Sequence, residues 1–555
     1  MASETLGLLP GATPYWRSRS SEPLSIHVLQ ATSHGKTFMT THTAANTIRT
    51  SGRRARTPLF AAFALLGCAF APPPAFATNW PVGRCSDVAG KGGDTLRIAI
   101  GKAGNFDTID MSALPVTCST ITLTAGEIAI PQAYLTINGP ADRTVTVSGN
   151  NVGRVLYHSG TGQLVLNGFE VAYGHSVGIG GCIWTKGRLY MSGMIASHCT
   201  GAAGGAVFAN GNVQASHATI YANNSVNGCG GIRTDAMLQM SDSLVTGNSA
   251  NLYGGGLCTN GPSSLVRTTI TDNHAAQGRG GGITGRGLTM SDVVVDHNTS
   301  GGKGGGIDSG RGDNVRITRT LISDNVAIGA LGGGIFSTNH DIEITDSAIV
   351  NNGGNGQTLV GGGMDVLLYA DATNTISVKN TTISGNHSTD WGAGMAIANY
   401  ENNAQSILTV ANSTIAFNST SSNPQQYAAG LFVGVGETHL QSAIIAHNSP
   451  LDFGANTVTP HVTSGSNNLI MTFTEEPLGT LNADPHLAPL ALHGGALPVH
   501  ALSLNSIAVD SGNDAAGLSF DQRGVGFARV VGTAADIGAY ERQSGDDELF
   551  YGGFD

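Results

Sequence analysis

Two residues after the last small residue of a recurring glycine motif, the chain carries in turn Trp184, Phe208, Arg233, Cys258, Thr284, Asp308, Phe336 and Asp365. Side chains that recur at one position of a repeat align in a column when the repeats stack, so chemistry would concentrate here. Asp308 and Asp365 are two repeats apart. At the ordinary strand spacing they lie about 10 Å from one another, close to the roughly 6.5–9.5 Å between the acid and base of an inverting glycosidase. Two solvated carboxylates on a polar ladder face have the same spacing, and that is the expected state. Trp184 and Phe208 are broad enough to stack on sugar rings, but filling a wall of the fold is expected of them first. No residue is therefore assigned a catalytic, cofactor-binding or metal-binding role, and no cofactor is expected.

Other chemistry-bearing patterns are thin. His198 stands at the head of a column of asparagines and has no second histidine at ligand spacing, so it reads as a capping variant. Arg311-Gly312-Asp313 forms a triplet that a glycine-rich chain produces by chance. The sequence contains no G-x-S-x-G elbow, P-loop, H-E-x-x-H helix or G-G-x-G-x-D nonapeptide. The ordered NTD, DD, GHG and RIK elements of polygalacturonases are also missing.

The elements that must position these residues are repeats. Isoleucine or valine followed three residues later by asparagine recurs at Asn223, Asn248, Asn273, Asn298, Asn325, Asn352, Asn386, Asn418 and Asn448, and the first four are 25 residues apart. A glycine-rich motif runs beside it ten times, from 180–183 to 428–431, with spacing that widens toward the C-terminus. Segments such as 243–248, 268–273, 293–298 and 381–386 are short, β-branched and bounded by Gly or Asn, and no amphipathic stretch of helical length interrupts them. The pattern predicts an all-β fold, a right-handed parallel β-helix of ten or more coils with an N-terminal cap and a C-terminal closing module. The asparagines are expected to form a hydrogen-bonded ladder. The glycines are expected at turns with φ > 0 and at close backbone approaches.

Composition bounds the function. Charged residues make up 12% of the 555-residue chain and 79 residues are glycine. Residues 78–555 carry 20 basic and 36 acidic residues, a net −16, which offers no footprint for nucleic acid or an anionic membrane. Arg53, Arg54 and Arg56 precede an apolar run from Leu59 to Phe70 and a small-x-small site, Ala75-Phe76-Ala77. This reads as a secretory signal, with Met39 as an alternative start giving ordinary length. Leu65-Leu66-Gly67-Cys68 offers a second reading as a lipobox. No transmembrane helix is expected in the mature chain, which is expected to be monomeric.

Six cysteines follow the leader: Cys85, Cys118, Cys182, Cys199, Cys229 and Cys258. An even number in an exported chain predicts disulfides. Cys85 with Cys118 is the best pair, because both precede the regular coils where an open end needs fastening. The other four leave three pairings open.

The repeat motifs over roughly 180–450 resemble those of polymorphic outer-membrane proteins and related pectin-lyase-like β-helices, with Ile or Val for the usual Phe and no C-terminal membrane barrel. Asp94 to Ile100 is similar to the SLREAI element of exported β-helix proteins, with Ile98 in place of Glu. Asn467-Asn468-Leu469-Ile470, Asp484-Pro485, His493-Gly494-Gly495, Val509-Asp510-Ser511-Gly512, Asp521-Gln522-Arg523-Gly524 and Asp536-Ile537-Gly538-Ala539-Tyr540-Glu541 occur in order and resemble the choice-of-anchor Q domain. That resemblance implies a structural role for Asp521, Arg523 and Asp536.

The expected organisation is a leader at 1–77, a cap and first coils at 78–170, repeats at 171–450, the closing domain at 451–545 and a tail at 546–555 that is similar to sorting segments. The expected function is that of an exported cell-surface rod, adhesin-like and non-enzymatic, with a polysaccharide or a host or cell surface as partner. The alternatives are a polysaccharide lyase or glycoside hydrolase, and a structural envelope component.

Overall fold

A computed structural model describes residues 77–546, apart from 89, 91–92, 311–313, 339, 370–372, 400–404, 422–426, 435, 456–461, 475–476, 478 and 515. The leader, Cys68, the Arg311-Gly312-Asp313 triplet and residues 547–555 lie outside the described residues.

Short β-branched runs separated by tight corners cannot pair with their sequence neighbours, so each pairs with its counterpart one repeat later. One coil runs through Arg188–Ser192, Ile195–Ser197, Thr200–Ala203 and Val207–Ala209 before Val213–Ser216 opens the next. Corresponding strands stack in parallel into three long sheets, giving a β-solenoid of about 14 turns. Sheet one holds 15 strands, from Asn79–Pro81 to Val462–Ser466; sheet two holds 15, from Thr120–Thr122 to Thr480–Leu481. Sheet three holds 13, from Ile128–Ile130 to Phe453–Ala455, and a six-stranded ribbon spans Thr200–Ala203 to Val326–Ala327. Fourteen rises at strand spacing make a rod about 67 Å long. Alternate residues turn inward, and a single apolar core runs from Val82 to Ile470.

Corners carry the sequence signals. The second glycine of each motif presses on the next coil: a Cβ on Gly281 would sit 2.3 Å from Gly305 O and 2.6 Å from Thr299 N. The asparagines follow a residue at positive φ and form the expected ladder. Each Oδ1 accepts both the backbone N–H and the side-chain amide of the preceding asparagine, over eight steps from Asn223 to Asn448 at 2.8–3.1 Å. The remaining amide hydrogen goes to a backbone carbonyl of the coil before, as from Asn298 Nδ2 to Ile270 O at 2.8 Å. Asp452 ends the row by accepting from Asn448 N at 2.7 Å and Nδ2 at 2.8 Å.

His198 does not take the asparagine position. Cys199 does, and its N–H donates to Asn223 Oδ1 at 3.0 Å. His198 is one residue earlier at the corner, with φ 52°, stacked on Tyr173 at 5.0 Å. The displacement follows from spacing: Cys199 is 24 residues before Asn223, close to the period, and its sulfur is committed to a disulfide.

The N-terminal end of the solenoid is secured locally. The helix Leu96–Lys102 buries Leu96, Ala99 and Ile100, and Thr95 caps its N-terminus by accepting from Ile98 N at 3.2 Å. Gln132 Nε2 donates at 2.8 Å to the carbonyls of Ile100 and Ala103, satisfying the other helix end. The disulfide Cys85–Cys118 fastens this region as expected; the other bonds are Cys182–Cys199 and Cys229–Cys258.

Residues 484–546 fold back along the outer face of sheet two. Gln522 accepts from Thr382 Oγ1 at 2.5 Å, His500 contacts Ser384 Oγ at 2.8 Å, and Gly538 N donates to Ser442 O at 2.9 Å. A second apolar cluster joins Ile444, Ala446 and Leu469 to Val499, Leu502, Ile537 and Tyr540. Within this segment Arg523 pairs with Asp521 at 2.7 Å, both side chains fully buried, and its guanidinium lies 4.0 Å from the ring centroid of Phe527 and 3.9 Å from that of Tyr540. Asp536 is held differently, accepting at 2.7 Å from the backbone N–H groups of Asp510 and Arg542.

Candidate functional site: the outer face of sheet three

The column read from the glycine register exists and points outward. Its residues pair in order: Tyr157 with Trp184, Trp184 with Phe208, Phe208 with Arg233, Arg233 with Cys258, Cys258 with Thr284, Thr284 with Asp308, Asp308 with Phe336 and Phe336 with Asp365. Inward neighbours such as Ile183, Val207, Ile307, Ile335 and Met364 pack the core, so strand alternation alone sets this face. The column has two chemically different halves.

In the first half, Tyr157 and Trp184 stack with centroids 4.5 Å apart and planes 27° apart. Both rings are half-buried, which leaves part of each to solvent. Cations surround them. Lys186 Nζ lies 6.0 Å from each ring centroid, and Arg233 places its guanidinium 5.5 Å from the ring of Phe208. Arg154 also lies over Trp184 at 5.1 Å, but its nitrogens are occupied by Glu127, Ser176 and the carbonyls of Ile179 and Gly180. Trp184 Nε1 donates to Asn210 Oδ1 at 3.3 Å, and Asn210 in turn donates to Asp235 at 3.1 Å.

In the second half, Asp308 and Asp365 hold the register expected of them but are not solvated. Each is 1% exposed, in contrast to the polar ladder face expected from sequence. The Lys303 side chain lies over the Phe336 ring between them, with Nζ 4.4 Å from the centroid and 3.4 Å from the Tyr369 hydroxyl. Burial pushes the Asp308 carboxyl up to about 6, with Arg279, the Gly310 N–H and Lys303 opposing the rise. Burial pushes Asp365 further, to about 7, with only Lys303 opposing. Asp365 Oδ2 has no hydrogen-bond partner among the described residues. Phe336, between the two, is 1% exposed, so no space remains there for a sugar ring between acid and base.

Sequence reading thus located Trp184, Phe208, Asp308 and Asp365 on one face. It missed Tyr157, which continues the column one coil upstream, 27 residues before Trp184 and outside the glycine motif. It missed Lys186 and Lys303 as well, because their side chains reach the column from neighbouring turns and carry no periodic signal. The structure also brings Ser309 and Ser337 to His340 Nε2, at 3.1 and 2.8 Å, but all three are buried in the fold. No cluster of three or more metal-ligating side chains occurs among the described residues.

Comparisons with known proteins assign the chain to no family. No protein-family model and no curated protein matches the chain. A crystal structure of pectate lyase Pel9A aligns over 84% of this chain and 96% of that one, at 13% identity and a TM-score of 0.30.

Proposed function

We propose that this protein is an exported, cell-surface β-helix that binds polysaccharide without cleaving it. The observation that carries the reading is the outward, half-buried stack of Tyr157 and Trp184 flanked by Lys186. Aromatic faces present a flat apolar surface to a sugar ring, and nearby cations favour a carboxylated or sulfated one. Three disulfides favour an oxidising compartment, and no helix among the described residues is long and apolar enough to cross a membrane. The burial of Asp308 and Asp365 speaks against cleavage, since a polymer cannot reach either carboxyl in this conformation. Membership of the polymorphic outer-membrane or choice-of-anchor Q families, and an adhesive role, belong to the same proposal and rest on the sequence motifs.

The test is retention of a purified 78–546 fragment on immobilised acidic and neutral polysaccharides, with product analysis alongside. Retention without chain shortening, weakened about tenfold by Trp184→Ala (about 1.4 kcal/mol), supports the reading. Shortening abolished by Asp308→Ala or Asp365→Ala would replace it with a depolymerase.

A further inference from the structure

We propose that the cavity between the solenoid and its closing segment is a binding site for a small organic amine, a primary ammonium carried on an apolar body. The cavity encloses about 450 Å³, a volume ordinary for small-molecule sites. Asp292 to Val294, Arg319 and Asp346 of the solenoid line one side, and residues 496–497 and 518–525 of the closing segment line the other. It lies at the corner between sheets one and two, apart from the aromatic column on sheet three, and does not rest on the glycan reading.

The corner sets the charge of the site. Successive coils place Asp242, Arg267, Asp292, Arg319, Asp346 and Asn380 at one corner position, each at positive φ. Acid and arginine alternate, and each arginine neutralises the acid one coil before it: Arg267 pairs with Asp242 at 2.6 Å and Arg319 with Asp292 at 2.7 Å. The alternation stops at Asp346. The next residue of the row is Asn380, whose neutral amide donates to Asp346 Oδ1 at 2.6 Å and to Phe520 O at 3.2 Å, where the closing segment begins to cover the row. Asp521, the remaining acid of the lining, is paired with Arg523. The cavity therefore holds one carboxylate without a cation of its own. Burial pushes the Asp346 carboxyl up, with the Asn380 amide and the charge of Arg319 opposing and Asp521 adding to the rise.

The facing wall is apolar and held in place. Ala496, Leu497, Leu518, Phe520 and Val525 contribute to it. Phe520 and Ala528 close a turn by an antiparallel bridge, and within it Asp521 N donates to Phe527 O and Gly524 N to Asp521 O, both at 2.9 Å. Gly524 and Gly526 take φ of 89° and 103°, a region that favours glycine, and leave Val525 at the tip between them. Val525 is 86% exposed and Phe520 38%. Exposed apolar side chains around a single unneutralised acid match a ligand with an apolar body and a cationic head. The head restores the alternation of charge that the row loses at Asp346, and the body covers the rim. An anionic ligand meets the same carboxylate and no free cation, because Arg319 and Arg523 are already paired.

The experiment is calorimetric titration of the full chain with 2-phenylethylamine, and with 2-phenylethanol and 3-phenylpropionate as its neutral and anionic analogues. The amine is expected to saturate one site and to bind about tenfold more tightly than either analogue. Asp346→Asn, which keeps the side-chain volume, is expected to remove that preference. Val525→Ser, at an exposed tip, is expected to weaken amine binding about threefold, the contact of roughly one methylene. Hydrogen exchange with the amine bound is expected to slow in peptides spanning 518–528. No saturable binding of the amine, equal affinity for all three compounds, or an unchanged preference in Asp346→Asn overturns the proposal, as does protection that falls only elsewhere in the chain. Loss of glycan retention with amine binding intact would sink the functional reading alone.

Discussion

Asn298→Ala tests the asparagine ladder at its centre. Asn298 Oδ1 accepts from Asn273 N and Nδ2, both at 3.0 Å, and its own amide donates to Ile270 O, Asp296 O and Asn325 Oδ1 at 2.8–3.0 Å. Truncation does not orphan every partner. Asn273 Nδ2 keeps Val245 O and Thr271 O, and Asn325 Oδ1 keeps the Asn298 N–H. What remains stranded is the Asn273 N–H, in a position 0–1% exposed, together with the space of the lost amide. One buried orphan donor costs about 1–3 kcal/mol and the void adds about 1 kcal/mol, for a total near 2–4 kcal/mol. A stacked-coil protein does not unfold as one two-state unit, so the loss must be read locally. Hydrogen exchange followed by mass spectrometry is expected to show faster exchange in peptides spanning 245–300, with 120–150 unchanged. Gln214→Ala, on the exposed face of sheet one, is expected to change stability by no more than about 0.5 kcal/mol. A cost for Asn298→Ala as small as that, or faster exchange spread evenly over the rod, would refute the ladder as a source of local stability.

Further expectations follow from the same contacts. Replacing Cys85 and Cys118 by serine opens a loop of 33 residues and is expected to cost about 3–4 kcal/mol, read as faster exchange confined to the cap. Asp308 has a folded pKa of about 6 against 3.8, so the folded state holds the proton more tightly. Its stabilising contribution is complete below pH 4, is lost on raising the pH through 6, and amounts to about 3 kcal/mol at most; Asp308→Asn is expected to reduce the pH dependence of protection, normalised to intrinsic exchange, in peptides spanning 303–310, with the share from Asp365 remaining. His500 has the opposite sign. Burial lowers it to about 4, so its neutral form is retained on folding and stability falls as pH drops from 6.5 toward 4. Residues 484–546 are therefore expected to show lower protection at pH 5 than at pH 7 once rates are normalised to intrinsic amide exchange, an effect absent in His500→Gln.

The periodicity of asparagine and glycine was enough to state the architecture, because each coil repeats the same local problem. A corner must take positive φ, a buried turn must satisfy its amides, and a close backbone approach admits no Cβ. Asn298 and Gly281 answer those needs wherever the chain is placed, so their roles are written in residue type and spacing. The same periodicity located the column holding Trp184, Asp308 and Asp365, since strand alternation decides which face a residue takes.

Exposure was not legible in the same way. Nothing about Asp308 or Asp365 in sequence says that they are buried, and a buried carboxyl is a different chemical object from a solvated one. Lys303 reaches the face of Phe336 only because three coils are stacked, and the return of residues 484–546 along sheet two joins Gln522 to Thr382 across 140 residues. Local patterns specify local geometry through sterics and hydrogen bonding. Dielectric, access and charge neighbours depend on everything packed nearby, and those were decided by the tertiary structure.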